Sequence, residues 1–158
     1  MRARTKASLL ALVAALVVAW PVASALQGHG AGQPLAYVNL TSRLGRVTFP
    51  RPAVHVFTRG QKLADYLAAV MPGNEPALPP IDFGLRKAVL VAVGPRSSSG
   101  YSLRVVSASL RDGHARIVLR EVAPGLHDRV VPGVTYPYLL ITIPRTKRST
   151  AVVIQGRP

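Results

Sequence analysis

The 158-residue chain contains no cysteine, six Asp plus Glu, four histidines and one tryptophan. Without cysteine there is no disulfide, no thiolate metal site, no cysteine nucleophile and no lipid-modified cysteine anchor. Six carboxylates and four histidines leave little material for acid–base catalysis. What the chain does have is apolar and basic. Hydrophobic residues make up 49% of it, enough to fill a core and too many for a disordered chain. Twenty Lys plus Arg give a net charge of +14 and a pI near 11.6. At this length one ordinary domain is expected, and the composition favours a binding or structural module over an enzyme.

The N-terminus reads as a targeting segment. Arg2, Arg4 and Lys6 precede an uncharged apolar run from Ala7 to Val18, followed by Trp20-Pro21 and Ala23-Ser24-Ala25. A basic region, a short apolar region and a small-x-small site form the pattern of a secretory signal peptide, with cleavage expected after Ala25. The alternative is an uncleaved anchor, because Ser8 to Leu26 offers 19 mostly apolar residues, about the ~20 needed to span a bilayer. Pro21 and the small residues after it interrupt that helix, and the short apolar region favours cleavage. The mature chain, Leu26 to Pro158, would carry +11 and no second apolar segment of spanning length. A secreted or extracytoplasmic location follows, with the anchored form as its alternative.

Export redirects the reading of the charge. Extracellular anionic polymers, anionic lipid head groups and acidic protein surfaces become the expected counterparts, rather than a specific nucleic acid. The competing reading is a solvated basic face with no dedicated partner.

After a polar, Gly-rich lead-in over residues 26–34, the domain is expected to occupy 35–158. Leu35 to Leu40 and Val54 to Phe57 read as strands separated by Pro50-Arg51-Pro52. Leu63, Tyr66, Leu67, Val70 and Met71 form one apolar helical stripe. Thr58-Arg59-Gly60-Gln61 has the form of a capping box before it, and Pro72-Gly73 stops it. Ala88 to Val93 is a continuous apolar run, fitting a central strand buried on both faces. Tyr101 to Leu110 and His114 to Val122 flank Asp112-Gly113, a strong hairpin signal. In the second arm Ala115, Ile117 and Leu119 alternate with Arg116, Val118 and Arg120, predicting one buried and one wet face. A long loop spans Ala123 to Val134, and strands are expected at Tyr138 to Ile143 and Thr150 to Ile154. The fold class is therefore α+β and mainly antiparallel β: a single small domain with one amphipathic helix packed on a meander-type sheet or sandwich.

Strand parity places the loops. If Ala88–Val93 runs up, the Pro95–Gly100 loop, the long loop and Thr135-Tyr136-Pro137-Tyr138 gather at the top, where binding sites are commonly built. A protein contact is expected there, drawn from Arg96, Ser98, Gly100, Tyr101, Tyr136, Pro137 and Tyr138. Gly100 is free to take a positive φ in the turn. The tyrosines suit a recognition surface, and the alternative is that they are core residues with satisfied hydroxyls. A hydrolase would need a serine, a base and an orienter. His127-Asp128 lies near Ser97 to Ser99 by parity, but sequence neighbours rarely orient one another in those roles, and there is no nucleophile elbow. His29, His55, His114 and His127 lack metal-ligand spacing. No catalytic residue, cofactor or metal is expected.

Val89 to Leu110 (VLVAVGPRSSSGYSLRVVSASL), with Ile81-Asp82-Phe83 before it and Thr135-Tyr136-Pro137-Tyr138-Leu139-Leu140 after it, resembles the PrcB C-terminal domain family. That family's pattern is an Asp-Phe, an apolar strand ending in Gly, a small-residue turn with Gly-Tyr and a later Thr-x-Pro-Tyr strand. All four occur in order over residues 81–144. The resemblance implies an extracytoplasmic, non-catalytic domain named for a subunit that supports a secreted protease complex. The serine run stands where the family often has Thr or Gly. The turn SSSGYSL is also similar to the Thr-Thr-Gly-Tyr loop of chagasin-like cysteine-protease inhibitors, whose Gly-rich and Arg-Pro-Trp loops this chain lacks.

The expected function is thus an exported, non-enzymatic binding module, with a protease-associated partner or stabilising role. The alternatives are a cationic envelope-associated protein that binds anionic polymers, and a chagasin-like inhibitor.

Overall fold

A computed structural model describes residues 32–156. The expected signal peptide, Met1–Ala25, and residues 26–31 lie outside the described residues. In chain order the elements are β1 (Gln33–Pro34), β2 (Val38–Asn39), α1 (Thr41–Leu44), β3 (Ala53–Phe57), α2 (Gly60–Val70), β4 (Arg86–Ala92), β5 (Arg96–Ser98), β6 (Ser102–Arg111), β7 (His114–Val122), β8 (Pro132–Thr135), β9 (Tyr138–Pro144) and β10 (Thr150–Gln155). One sheet has the order β1-β6-β7-β10, a second β2-β9-β4-β3, and β5 and β8 form a separate ribbon.

The run Ala88–Val93 has no polar alternation, so neither of its faces can meet water. The fold satisfies both. Val89, Val91 and Val93 face Ala115, Ile117 and Leu119 of the other sheet, closing a sandwich core together with Leu139, Ile141 and Ile143. Ala88, Leu90 and Ala92 face the other way, toward Leu63 and Leu67 of α2 and toward Leu44, Val47 and Phe49. The result is three layers: sheet, sheet and helix. No described helix is long and apolar enough to cross a membrane.

The β1-β6-β7-β10 sheet packs its inner face on the sandwich core and turns the other toward water. In β7, Ala115, Ile117 and Leu119 are buried while Arg116 and Arg120 are exposed, as the alternation predicts; Val118, expected on the wet face, is instead buried at 7% exposure. The β6–β7 hairpin turns at Asp112 (φ 51°) and Gly113 (φ 79°). Two consecutive left-handed residues match the twist of the strands they join, which is why Asp-Gly serves here.

Several local expectations are corrected. Leu35–Leu40 is not one strand: β1 pairs with β6 and β2 with β9, in different sheets. The lead-in expected over 26–34 ends in structure, because Gln33 and Pro34 pair with Leu110 and Ser109. The capping box does not form. The helix starts one residue too late for Thr58 to cap it, and Arg59, in extended conformation, makes no side-chain cap bond. The fold is mainly antiparallel, but β10 lies parallel to β7, from Thr150 opposite Ala115 to Gln155 opposite Arg120. After β9 the chain crosses between sheets, so β10 arrives beside β7 pointing the same way.

Candidate functional site

Strand pairing brings the expected site segments to one end. Ala92 lies opposite Tyr138, Ser102 opposite Val122, and Arg96 opposite Thr135. The parity argument therefore holds, with one correction. The Pro95–Gly100 turn and the Ala123–Val134 loop are not bare loops, since β5 and β8 pair across them into a ribbon. Pro132-Gly133 looks like turn sequence, yet proline is tolerated in short strands whose outer edge needs no donor. Backbone and side-chain bonds together lock the ribbon. Ser99 N–H donates to Val131 O at 2.9 Å, Val131 N–H to Ser99 Oγ at 2.8 Å, and Thr135 Oγ1–H to Ser98 O at 2.7 Å. Gly100 takes φ 114°, and a Cβ there would come within 2.9 Å of Val130 and 3.0 Å of Pro124. Both the angle and the close approach require glycine.

Arg96 has a different situation from the free rim charge that its loop position suggests. Its guanidinium forms a bidentate pair with Glu121, through Nε to Oε1 and through Nη2 to Oε2 at 2.8 Å. Nη1 donates to the carbonyls of Val93 (3.1 Å) and Pro95 (2.8 Å). The Glu121 side chain is 3% exposed and that of Arg96 20%. Hydrogen bonding to Glu121 raises the already high Arg96 pKa, so the group is always charged. Arg96 therefore fastens the ribbon to the end of β7, because a buried carboxylate needs a counter-charge. The signal for this was present in the sequence. Continuing the Ala115, Ile117, Leu119 alternation puts Glu121 on the inward row, where a carboxylate demands a partner.

The tyrosines divide. Tyr138 belongs to the helix layer: its ring lies 5.2 Å from that of Phe49, and its hydroxyl sits between the carbonyls of Thr41 (3.0 Å) and Gly45. Burial raises its pKa. Of the two earlier readings, Tyr138 fits the core residue with a satisfied hydroxyl. Pro137 is likewise tied in, its carbonyl accepting from Val93 N–H at 3.2 Å. Tyr101 and Tyr136 are half-buried and flank an open groove of about 290 Å³ that also includes Asn39, Ser102, Pro137 and Tyr138, so Tyr138 lines the groove as well as packing on the helix layer. The Arg96 guanidinium stands 6.0 Å from the Tyr101 ring centroid.

What the sequence reading passed over is an apolar surface on the same end. Leu126 is fully exposed, Val131 is 70% exposed and Val134 67%. All three stand on the ribbon or on the turn leading into it. The turn itself is held by Asp128, whose carboxylate accepts from Gly125 N–H at 2.7 Å. Among the described residues, His55, His114 and His127 lie apart from one another. His55 packs on Tyr66 at 4.3 Å between centroids, His114 Nδ1 is 2.8 Å from Ser149 Oγ, and His127 is exposed.

Residues 87–144, running from β4 through β9, match the family described as PrcB C-terminal. That match bears out the resemblance to this family read from the sequence. It contains the ribbon, the Gly100-Tyr101 turn and the Thr135–Tyr138 approach, while Asp82-Phe83 fall just outside it. No curated protein and no solved structure matches the chain.

Proposed function

We propose that the protein is an exported, non-enzymatic binding module, and that a protein of a secreted protease complex docks on the ribbon end of its PrcB C-terminal stretch. The observation that carries this reading is the exposed apolar side chains of Val131 and Val134 on the hydrogen-bonded ribbon and of Leu126 on the turn before it, at the same end as the Tyr101–Tyr136 groove. Large apolar side chains on a rigid projection suit a protein contact, since their burial on docking supplies affinity without ordering a loop. The family supports a protease-complex setting, and the N-terminal pattern supports export. The non-enzymatic reading is supported by how the polar groups there are used. Ser99 Oγ accepts a backbone bond and the Asp128 carboxylate holds its own turn.

The test is affinity capture from the native extracytoplasmic fraction with the wild type and with the triple variant Leu126→Ser, Val131→Ser, Val134→Ser. The expected result is a proteolytically active complex retained by the wild type and weakened by at least about thirtyfold in the variant, with the melting temperature unchanged. Capture unaffected by the triple change refutes the ribbon as the docking site. The expected mature N-terminus at Leu26 is checked by intact mass.

A further inference from the structure

The uncovered face of the β1-β6-β7-β10 sheet carries a row of arginines. In an antiparallel pair, residues directly opposite share a face, and alternate residues along a strand share it too. Arg104 is opposite Arg120, Ser107 opposite Val118, Ser109 opposite Arg116, and Arg111 opposite His114. Ala115, Ile117 and Leu119 point inward, so these pairs point outward; Arg104, Arg111, Arg116 and Arg120 are all exposed, while Val118 between them is buried and Ser109 half-buried.

The protein supplies almost no counter-charge here. Among the described residues two ion pairs occur: Arg96–Glu121, on the inner side, and Arg111–Asp112, 3.8 Å apart at the hairpin tip. Asp65, Glu75, Asp82 and Asp128 lie in α2 or in connections outside this sheet. Like charges directly across a strand pair destabilise a sheet, so the Arg104–Arg120 pair costs stability unless an anion lies over it. The dimensions describe that anion. Arg116 and Arg120 are four residues apart along β7, roughly 13 Å, and His114 to Arg120 spans roughly 20 Å at ~3.3 Å per residue. A small ion could engage only one end of such a row, whereas an extended chain of charges could follow all of it. Guanidinium forks match phosphate oxygens bidentately, and the Ser107 and Ser109 hydroxyls interleaved with them can donate to the remaining oxygens.

We propose that this face binds a linear polymer of phosphate groups, independently of the ribbon end. The probe is long-chain inorganic polyphosphate, titrated against the wild type, against Arg104→Gln/Arg116→Gln/Arg120→Gln, and against Arg43→Gln/Arg46→Gln/Arg51→Gln. The control removes the same charge from exposed residues on the helix-layer side. The face variant is expected to lose on the order of a hundredfold in affinity, and the control less than about threefold. Polyphosphate should raise the melting temperature of the wild type and the control but not of the face variant. Without polymer, the face variant should melt no lower than the wild type, because a like-charge pair has been relieved. Equal losses in the two triples would reduce the effect to net charge and overturn the site. Wild-type binding of polyglutamate within about threefold of polyphosphate, at matched charge, would overturn the phosphate assignment.

Discussion

The inward rows of β4 and β7 end in opposite charges at opposite ends of the sandwich. On β7 the row Ala115, Ile117, Leu119 finishes at the ribbon end with Glu121. On β4 the row Val89, Val91, Val93 is preceded at the other end by Lys87. Each charge is buried, at 8% and 7% exposure, but they are satisfied differently. Glu121 has the Arg96 guanidinium across two oxygens. Lys87 has only neutral acceptors, Thr146 Oγ1 at 2.8 Å and Arg148 O at 3.0 Å, and burial followed by the nearby Arg145 charge lowers its pKa. The lesson is that a buried charge with a counter-ion is an anchor, while one held by dipoles is only tolerated.

The comparison breaks most sharply at Arg96. Arg96→Ala leaves the Glu121 carboxylate buried and alone, and should cost about 3–5 kcal/mol in denaturant unfolding. A cost below about 1 kcal/mol would mean that Glu121 finds water or another donor and the pair is not the anchor of the ribbon. Between the two ends, the dry rows should respond as ordinary core. Leu119→Ala, inside the sandwich, and Leu90→Ala, under the helix layer, should each cost about 2–5 kcal/mol. A markedly cheaper Leu90 change would show that the helix layer packs loosely on β4.

Smaller effects sharpen the contrast. Tyr138→Phe keeps the ring against Phe49 and removes the hydroxyl between two carbonyls, so a loss of about 0.5–1.5 kcal/mol is expected, with partner capture unchanged. Capture lost at constant stability would return Tyr138 to the docking surface. Lys87→Met should be no less stable than the wild type at neutral pH, since Thr146 Oγ1 still donates to Arg148 O at 3.1 Å and the desolvated charge is gone. The pH dependence has a definite sign. The lysine pKa is lower folded than unfolded, so wild-type stability rises with pH through the alkaline range between the two values. The gap to Lys87→Met should accordingly narrow on going alkaline, and a widening gap contradicts the argument. Least of all, Arg120→Ala, on the open face, should change stability by less than about 0.5 kcal/mol.

Much of this was legible in residue order, because it depends on neighbours two to four positions apart. The unbroken apolar run Ala88–Val93 meant two covered faces, Asp112-Gly113 meant a hairpin, and the Leu63–Met71 stripe meant a helix lying on a sheet. Counting strand directions from these was enough to bring Pro95–Gly100 and Thr135–Tyr138 to one end. The rest was not local. Whether Arg96 greets solvent or Glu121, 25 residues away, depends on how β5 is set against β7. Whether a tyrosine only lines the groove, like Tyr101, or is also packed into a core, like Tyr138, depends on the helix layer reaching Tyr138 and stopping short of Tyr101. The parallel seat of β10 follows from a change of sheet that no periodicity encodes. Short-range pattern decides which residues must leave water. Only the packed sheets decide which distant group each one meets, because that choice is made by register and layer contact.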